Sequence, residues 1–130
     1  MKIVLIDRYP SSGRAVASVL QRHRPEYHFC GQAYTQEAGR QLVAQQDPDV
    51  VILEPLLFST APQTMQTELT QLKHLCPEAK LIVTTASSSS EHIRAALRVG
   101  VEDYLYKPLQ WHELLSVLDR CHGGLDRETD

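Results

Sequence analysis

Hydrophobic and polar positions alternate between two periods along this chain. From Lys2 to Ile6 the apolar residues are nearly continuous, whereas from Ser12 to Arg24 Val16, Val19, Leu20 and His23 recur three and four apart. The first pattern is that of a strand and the second that of one face of a helix. The alternation continues to the end. "YHFCGQAY" reads as a second, weaker strand, and Ala38, Leu42 and Val43 mark a helix opened by Thr35 as N-cap. Val50 to Leu53 are four aliphatic residues in a row bounded by prolines, the habit of a strand buried on both faces. Met65, Leu69, Leu72 and Cys76 form a helical stripe ended by Pro77, and "KLIVTTA" is the fourth strand. Ser88 with Glu91 fits a capping box for a helix bearing Ile93, Ala96 and Leu97, with Gly100 as its stop. "DYLY" is a short fifth strand, and Trp111, Leu114, Leu115 and Leu118 make a fifth helix closed by Gly123-Gly124. The tail "LDRETD" reads as solvated. Strands and helices in strict alternation imply right-handed crossovers and a parallel sheet with helices on both faces.

Composition narrows the function without naming it. With 130 residues, 42% hydrophobic and 22% charged, the chain suits one globular domain with a real core. A formal net charge of -3 gives no electrostatic case for binding nucleic acid directly. No apolar run approaches membrane length and none fits a signal peptide, so the expected location is cytoplasmic. Cys30, Cys76 and Cys121 are odd in number and contain no CxxC pair, which points to free thiols, and the six histidines lack ligand spacing.

The chemistry gathers where the strands end. Asp7 and Arg8 follow the first strand, Glu54 the third, Thr85 closes the fourth, and Lys107 precedes Pro108 after the fifth. In open α/β sheets that edge is where ligands bind.

In this order the residues resemble the receiver domain of bacterial two-component response regulators over about Lys2 to Arg120. "GVEDYLYKPLQWHELLSVL" carries the strongest likeness, through its Gly-x-x-Asp-Tyr-Leu-x-Lys-Pro pattern. The resemblance implies a flavodoxin-like, CheY-like sheet in strand order 2-1-3-4-5. It implies a pocket that phosphorylates an aspartate at the third strand end, with a pair of acids holding Mg²⁺. A hydroxyl and a lysine hold the phosphoryl oxygens, and an aromatic on the fifth strand switches rotamer. Asp7 matches the first acid, Thr85 the hydroxyl, Lys107 the lysine and Tyr104 the switch aromatic. On this reading residues 1–122 are the receiver and 123–130 a solvated tail or the start of a linker to an output domain.

Two positions depart from the pattern. Arg8 stands where the second magnesium-binding acid belongs, and Glu54 stands where the phosphorylated aspartate belongs. A guanidinium removes an oxygen ligand and adds repulsion, so Mg²⁺ binding is expected to be weak or absent, with Asp7 and Glu54 the only residual ligand candidates. Asp7 and Glu54 against Arg8 and Lys107 sum to zero, so the pocket is balanced without a cation. The longer Glu54 side chain is expected to accept charge-assisted bonds from Lys107 and Thr85. It reads either as a fixed surrogate for the phosphorylated state or as a remnant that merely pairs with Lys107.

The loop after Glu54 presents Leu56, Leu57 and Phe58 together, of which at least two are expected to tuck under it; left exposed, they would form a partner patch. Tyr104 and Tyr106 share one face by strand alternation, on a surface of fourth helix, fifth strand and fifth helix that in the family commonly mediates dimers or effector contacts. The favoured function is therefore a non-catalytic, phosphorylation-independent signalling module. Its expected partners are proteins: a second copy, an output domain or an upstream signalling protein. Two alternatives remain: a receiver phosphorylated on Glu54, and a flavin or nucleotide binder using the weak phosphate-cradle signal of "DRYPSSGR".

Overall fold

The computed structural model describes residues 1–55, 61–86 and 89–129, the last five of these by backbone only. Elements follow in the order β1 (Lys2–Ile6), α1 (Pro10–His23), β2 (His28–Ala33), α2 (Gln36–Gln46), β3 (Val50–Leu53), α3 (Pro62–Leu75), β4 (Lys80–Thr85), α4 (Ser90–Val99), β5 (Asp103–Tyr106) and α5 (Trp111–Thr129). The sheet is five-stranded and parallel in the order β2-β1-β3-β4-β5, the flavodoxin-like order expected above.

Strand alternation divides the core into two layers. Val4, Ile6, Val51, Leu53, Leu81 and Val83 face the layer completed by Met65, Leu69 and Leu72 of α3 and by Ala95 and Ala96 of α4. Ile3, Leu5, Val50, Ile52 and Ile82 face the other, completed by Val16 and Leu20 of α1 and by Leu114 and Leu118 of α5. Every residue of β3 is therefore fully buried, which is why its sequence is continuously aliphatic rather than alternating. Each such side chain contributes about 1.5–3 kcal/mol of transfer free energy.

Register aligns the strand ends. Ile6 pairs with Leu53, Leu53 with Val83, and Thr85 with Tyr106, so the carboxyl edge is nearly level. One irregularity lies between Ile3 and Val4, where β2 skips a residue and Gly31 takes φ 147, a value that favours glycine. Thr35 caps α2 by accepting from the Ala38 amide at 3.1 Å, and Gly100 ends α4 in the left-handed region.

Four expectations are corrected. Helix α5 does not stop at Gly123-Gly124 but runs on to Thr129, so the boundary at 122/123 is not a break in secondary structure. Glycine inside a helix costs only about 1 kcal/mol relative to alanine, and these two lack the positive φ of a stop signal. Leu97 is 57% exposed, because α4 packs through the small residues Ala95 and Ala96. His23 lies in the exposed last turn of α1. Ser89, not Ser88, precedes α4, without a capping bond from its side chain, and Ser88 itself lies outside the described residues, as do Leu56, Leu57 and Phe58. No helix among the described residues is long and apolar enough to cross a membrane.

Candidate functional site

The sheet ladder continues one residue past each strand and fixes the site's backbone. The Asp7 amide donates to the Ala33 carbonyl at 3.0 Å, the Glu54 amide to Ile6 at 3.0 Å and the Lys107 amide to Thr85 at 2.8 Å. Asp7, Glu54, Thr85 and Lys107 are thus brought to one edge, as their spacing predicts. Asp7 is 1% and Glu54 5% exposed, so both carboxylates need partners from the protein.

The partners are distributed differently from the expectation. Lys107 Nζ donates to Asp7 Oδ2 at 2.7 Å and lies 3.7 Å from Glu54 Oε2, an ion-pair distance rather than a hydrogen bond. Asp7 Oδ1 accepts from the Tyr9 amide at 2.9 Å. The charge facing Glu54 from the other side is Arg8, whose Nε lies 3.5 Å from Oε2. Glu54 Oε2 is buried and has no hydrogen-bond partner among the described residues, although two cations flank it. The predicted bond from Lys107 to Glu54 is therefore replaced by one to Asp7, the more deeply buried acid. Thr85, also expected to donate to Glu54, is fully buried and hydrogen-bonded to the Tyr104 side chain. Burial pushes the Tyr104 phenol above its ordinary pKa, and the Thr85 bond works in the opposite direction.

Two residues of the site escaped the sequence reading. Tyr9 places its ring 5.7 Å from the Arg8 guanidinium carbon and 5.5 Å from Lys107 Nζ, in contact range for both cations. Gln32 on β2 donates to the carbonyls of Asp7 at 2.9 Å and Tyr9 at 2.8 Å and so fixes the loop that carries Arg8. The motif "DRYP" contained the first of these signals; the second depends on the β1–β2 pairing. Tyr104 and Tyr106 meet edge to face at 5.6 Å, as alternation predicts, with Tyr106 exposed.

What this edge can do chemically follows from its charges. It presents an acid at each of two strand ends, each matched by a cation of the same chain, and a hydroxyl tied to an aromatic on the neighbouring strand.

Residues 3–119 match the family described as the response regulator receiver domain. Among curated proteins the chain is similar to the nitrate/nitrite response regulator protein NarL of Escherichia coli, 27% identical over 122 residues, which are 94% of this chain and 55% of that protein. The chain thus spans about half the length of that relative. Among solved structures it resembles the isolated receiver domain of RcsB from Salmonella enterica serovar Typhimurium in the presence of phosphomimetic BeF3-. The TM-score is 0.82 at 18% identity, covering 95% of this chain and 89% of that one. A CheY-like receiver domain protein from Methanospirillum hungatei has a TM-score of 0.80 at 18% identity, covering 98% and 97%.

Proposed function

The chain belongs to the response regulator receiver domain family of two-component signal transduction, and on that premise we propose that it signals through protein contacts without a phosphorylation cycle of its own. One observation carries this reading. Both carboxylates of the site already have cationic partners from the chain, Lys107 on Asp7 at 2.7 Å and Arg8 on Glu54 at 3.5 Å.

The residues do not fit a magnesium ion. Mg²⁺ demands hard oxygen ligands in a near-octahedral shell and dehydrates reluctantly. Here a guanidinium, that of Arg8, stands in place of an acid and supplies no oxygen ligand. Glu54 is equally unsuited as an acceptor. Its Oε2 is buried between two cations, whereas in-line transfer needs a nucleophile free to approach the phosphorus with a metal beside it. The competing reading, phosphoryl transfer to Glu54, retains Thr85 and Lys107 but has neither of these.

Without turnover at the site, the signal resides in a standing conformation. Tyr104, bonded to Thr85 and packed against the α3/α4 core layer, is held inward, and Tyr106 and Leu97 remain exposed on the α4, β5 and α5 surface. That surface is the proposed contact, first with a second copy as an isologous dimer, then with an output region or an upstream signalling protein. We place the protein in the cytoplasm, where such partners reside.

Magnesium calorimetry tests the charge reasoning. The double variant Arg8→Asp with Glu54→Asp is expected to gain Mg²⁺ binding, while the parent and each single variant show little. Equal affinity in the parent and the double variant would refute it.

A further inference from the structure

We propose that Gln32 is a positioning residue that keeps Arg8 on Glu54, and that position 13 is glycine to leave Gln32 the room to do so. The inference rests on the reading in which Arg8 neutralises the site, and deepens it. Arg8 is flanked in the chain by the two groups that Gln32 binds. The Gln32 side-chain nitrogen donates to the Asp7 carbonyl at 2.9 Å and to the Tyr9 carbonyl at 2.8 Å. A primary amide carries two N–H protons, one for each carbonyl, whereas an ionised carboxylate offers none and a hydroxyl only one. With both neighbours held, the backbone of Arg8 is fixed, and from there its Nε lies 3.5 Å from Glu54 Oε2. The Arg8 side chain is 44% exposed, so water competes for it, and a fixed backbone lowers the entropic cost of staying on Glu54.

The irregular register of β2 aims Gln32 at this loop. Ile3 pairs with Phe29, but beyond the skipped residue Leu5 pairs with Gln32 rather than Gly31. A shift of one residue sends a side chain to the opposite face of the sheet. Gln32 thereby shares the face of Leu5, towards α1. There it meets Gly13, which is buried in α1 and has no positive φ, so its backbone does not call for glycine. Space does. A Cβ at this position would overlap Gln32 Oε1 and lie 2.9 Å from Gln32 Cδ, while Gln32 Cβ stands at an ordinary 3.5 Å. The amide is the free end of a flexible side chain, so it would yield before the helix did. Glycine inside a helix is disfavoured relative to alanine, and here that disadvantage coincides with the place where the amide needs room.

The test follows the exchange of the Arg8 Nε–H with water in the full ¹⁵N-labelled chain. Glu54→Gln gives the rate of an Arg8 without its carboxylate, expected about fivefold above the parent, the value of one partly exposed ion pair. Gln32→Met, which keeps the length and loses the donor, and Gly13→Ala, which displaces the amide, should reach a similar rate. In Gln32→Ala the new Cβ at position 13 meets only the Cβ at 3.5 Å. Adding Gly13→Ala to Gln32→Ala should therefore raise the urea midpoint and leave the exchange rate where Gln32→Ala put it, a separation that a merely structural role would not produce. If Gly13→Ala fails to fold, Gln32→Met decides alone. Parent-like exchange in Gln32→Met, or a further acceleration when Gly13→Ala is added to Gln32→Ala, would overturn the proposal and leave the reading of the pocket standing. Unchanged exchange in Glu54→Gln would overturn both, because Arg8 would then not be held by Glu54.

Discussion

Replacing Lys107 by methionine keeps most of the apolar stem and removes the ammonium that holds Asp7. At 2.7 Å the gross attraction is about 6 kcal/mol for an effective dielectric of about 20, before desolvation is subtracted. Deleting one partner of a buried pair costs about 3–5 kcal/mol, because the other charge is left behind. Asp7 would keep the Tyr9 amide on its second oxygen, and the Lys107 side chain is 20% exposed, so the expected loss is near the lower end, about 3 kcal/mol. With a urea m-value of about 2 kcal/mol/M, the midpoint falls by about 1.5 M. The assay is urea unfolding followed by circular dichroism at neutral pH, for Lys107→Met, Asp7→Asn and the double variant. The cycle should give a coupling of about 2–3 kcal/mol, with the double variant more stable than the sum of the single losses implies. A loss below about 0.5 kcal/mol, or strict additivity, would refute the reasoning, since Lys107 would then be an ordinary surface lysine.

Two further predictions concern other parts of the molecule. Asp119 accepts from Arg24 at 2.7 and 3.0 Å and from the Tyr27 hydroxyl at 2.6 Å; chiefly the Arg24 bond holds its carboxyl below the ordinary range. A lowered folded pKa contributes stability above the unfolded value that is lost as pH falls through the folded one. Asp119→Asn should therefore unfold at lower urea than the parent at neutral pH, and the gap should close as pH drops below about 4; a constant gap would contradict the assignment. On the α4, β5 and α5 surface, Tyr106→Ala should shift a dimer towards monomer in sedimentation velocity, since truncating an aromatic anchor costs about 2 kcal/mol or more. If only Phe58→Ala dissociates it, the interface lies on the loop after Glu54.

The elements were legible wherever one physical rule dominated. Burial on both faces wrote β3 as an uninterrupted aliphatic run, the Thr35 cap and the left-handed Gly100 marked helix ends, and spacing placed Asp7, Glu54, Thr85 and Lys107 on one edge. What spacing does not encode is depth. Asp7 and Glu54 compete for one ammonium, and the outcome depends on fractions of an ångström in how each side chain leaves its strand, so the preference of Lys107 for Asp7 was not readable. Gln32 reaches the site only because β2 pairs with β1, a long-range contact that local periodicity cannot report. Gly123-Gly124 misled for the opposite reason: a local stop signal has force only when the backbone turns left-handed, and here it stays helical.

The central claim is that Glu54, flanked by Arg8 and Lys107, accepts no phosphoryl group. Intact-mass spectrometry after incubation with acetyl phosphate and Mg²⁺ tests it most directly. An unchanged mass is expected; a stoichiometric gain of one phosphoryl group that disappears in Glu54→Ala would contradict the claim.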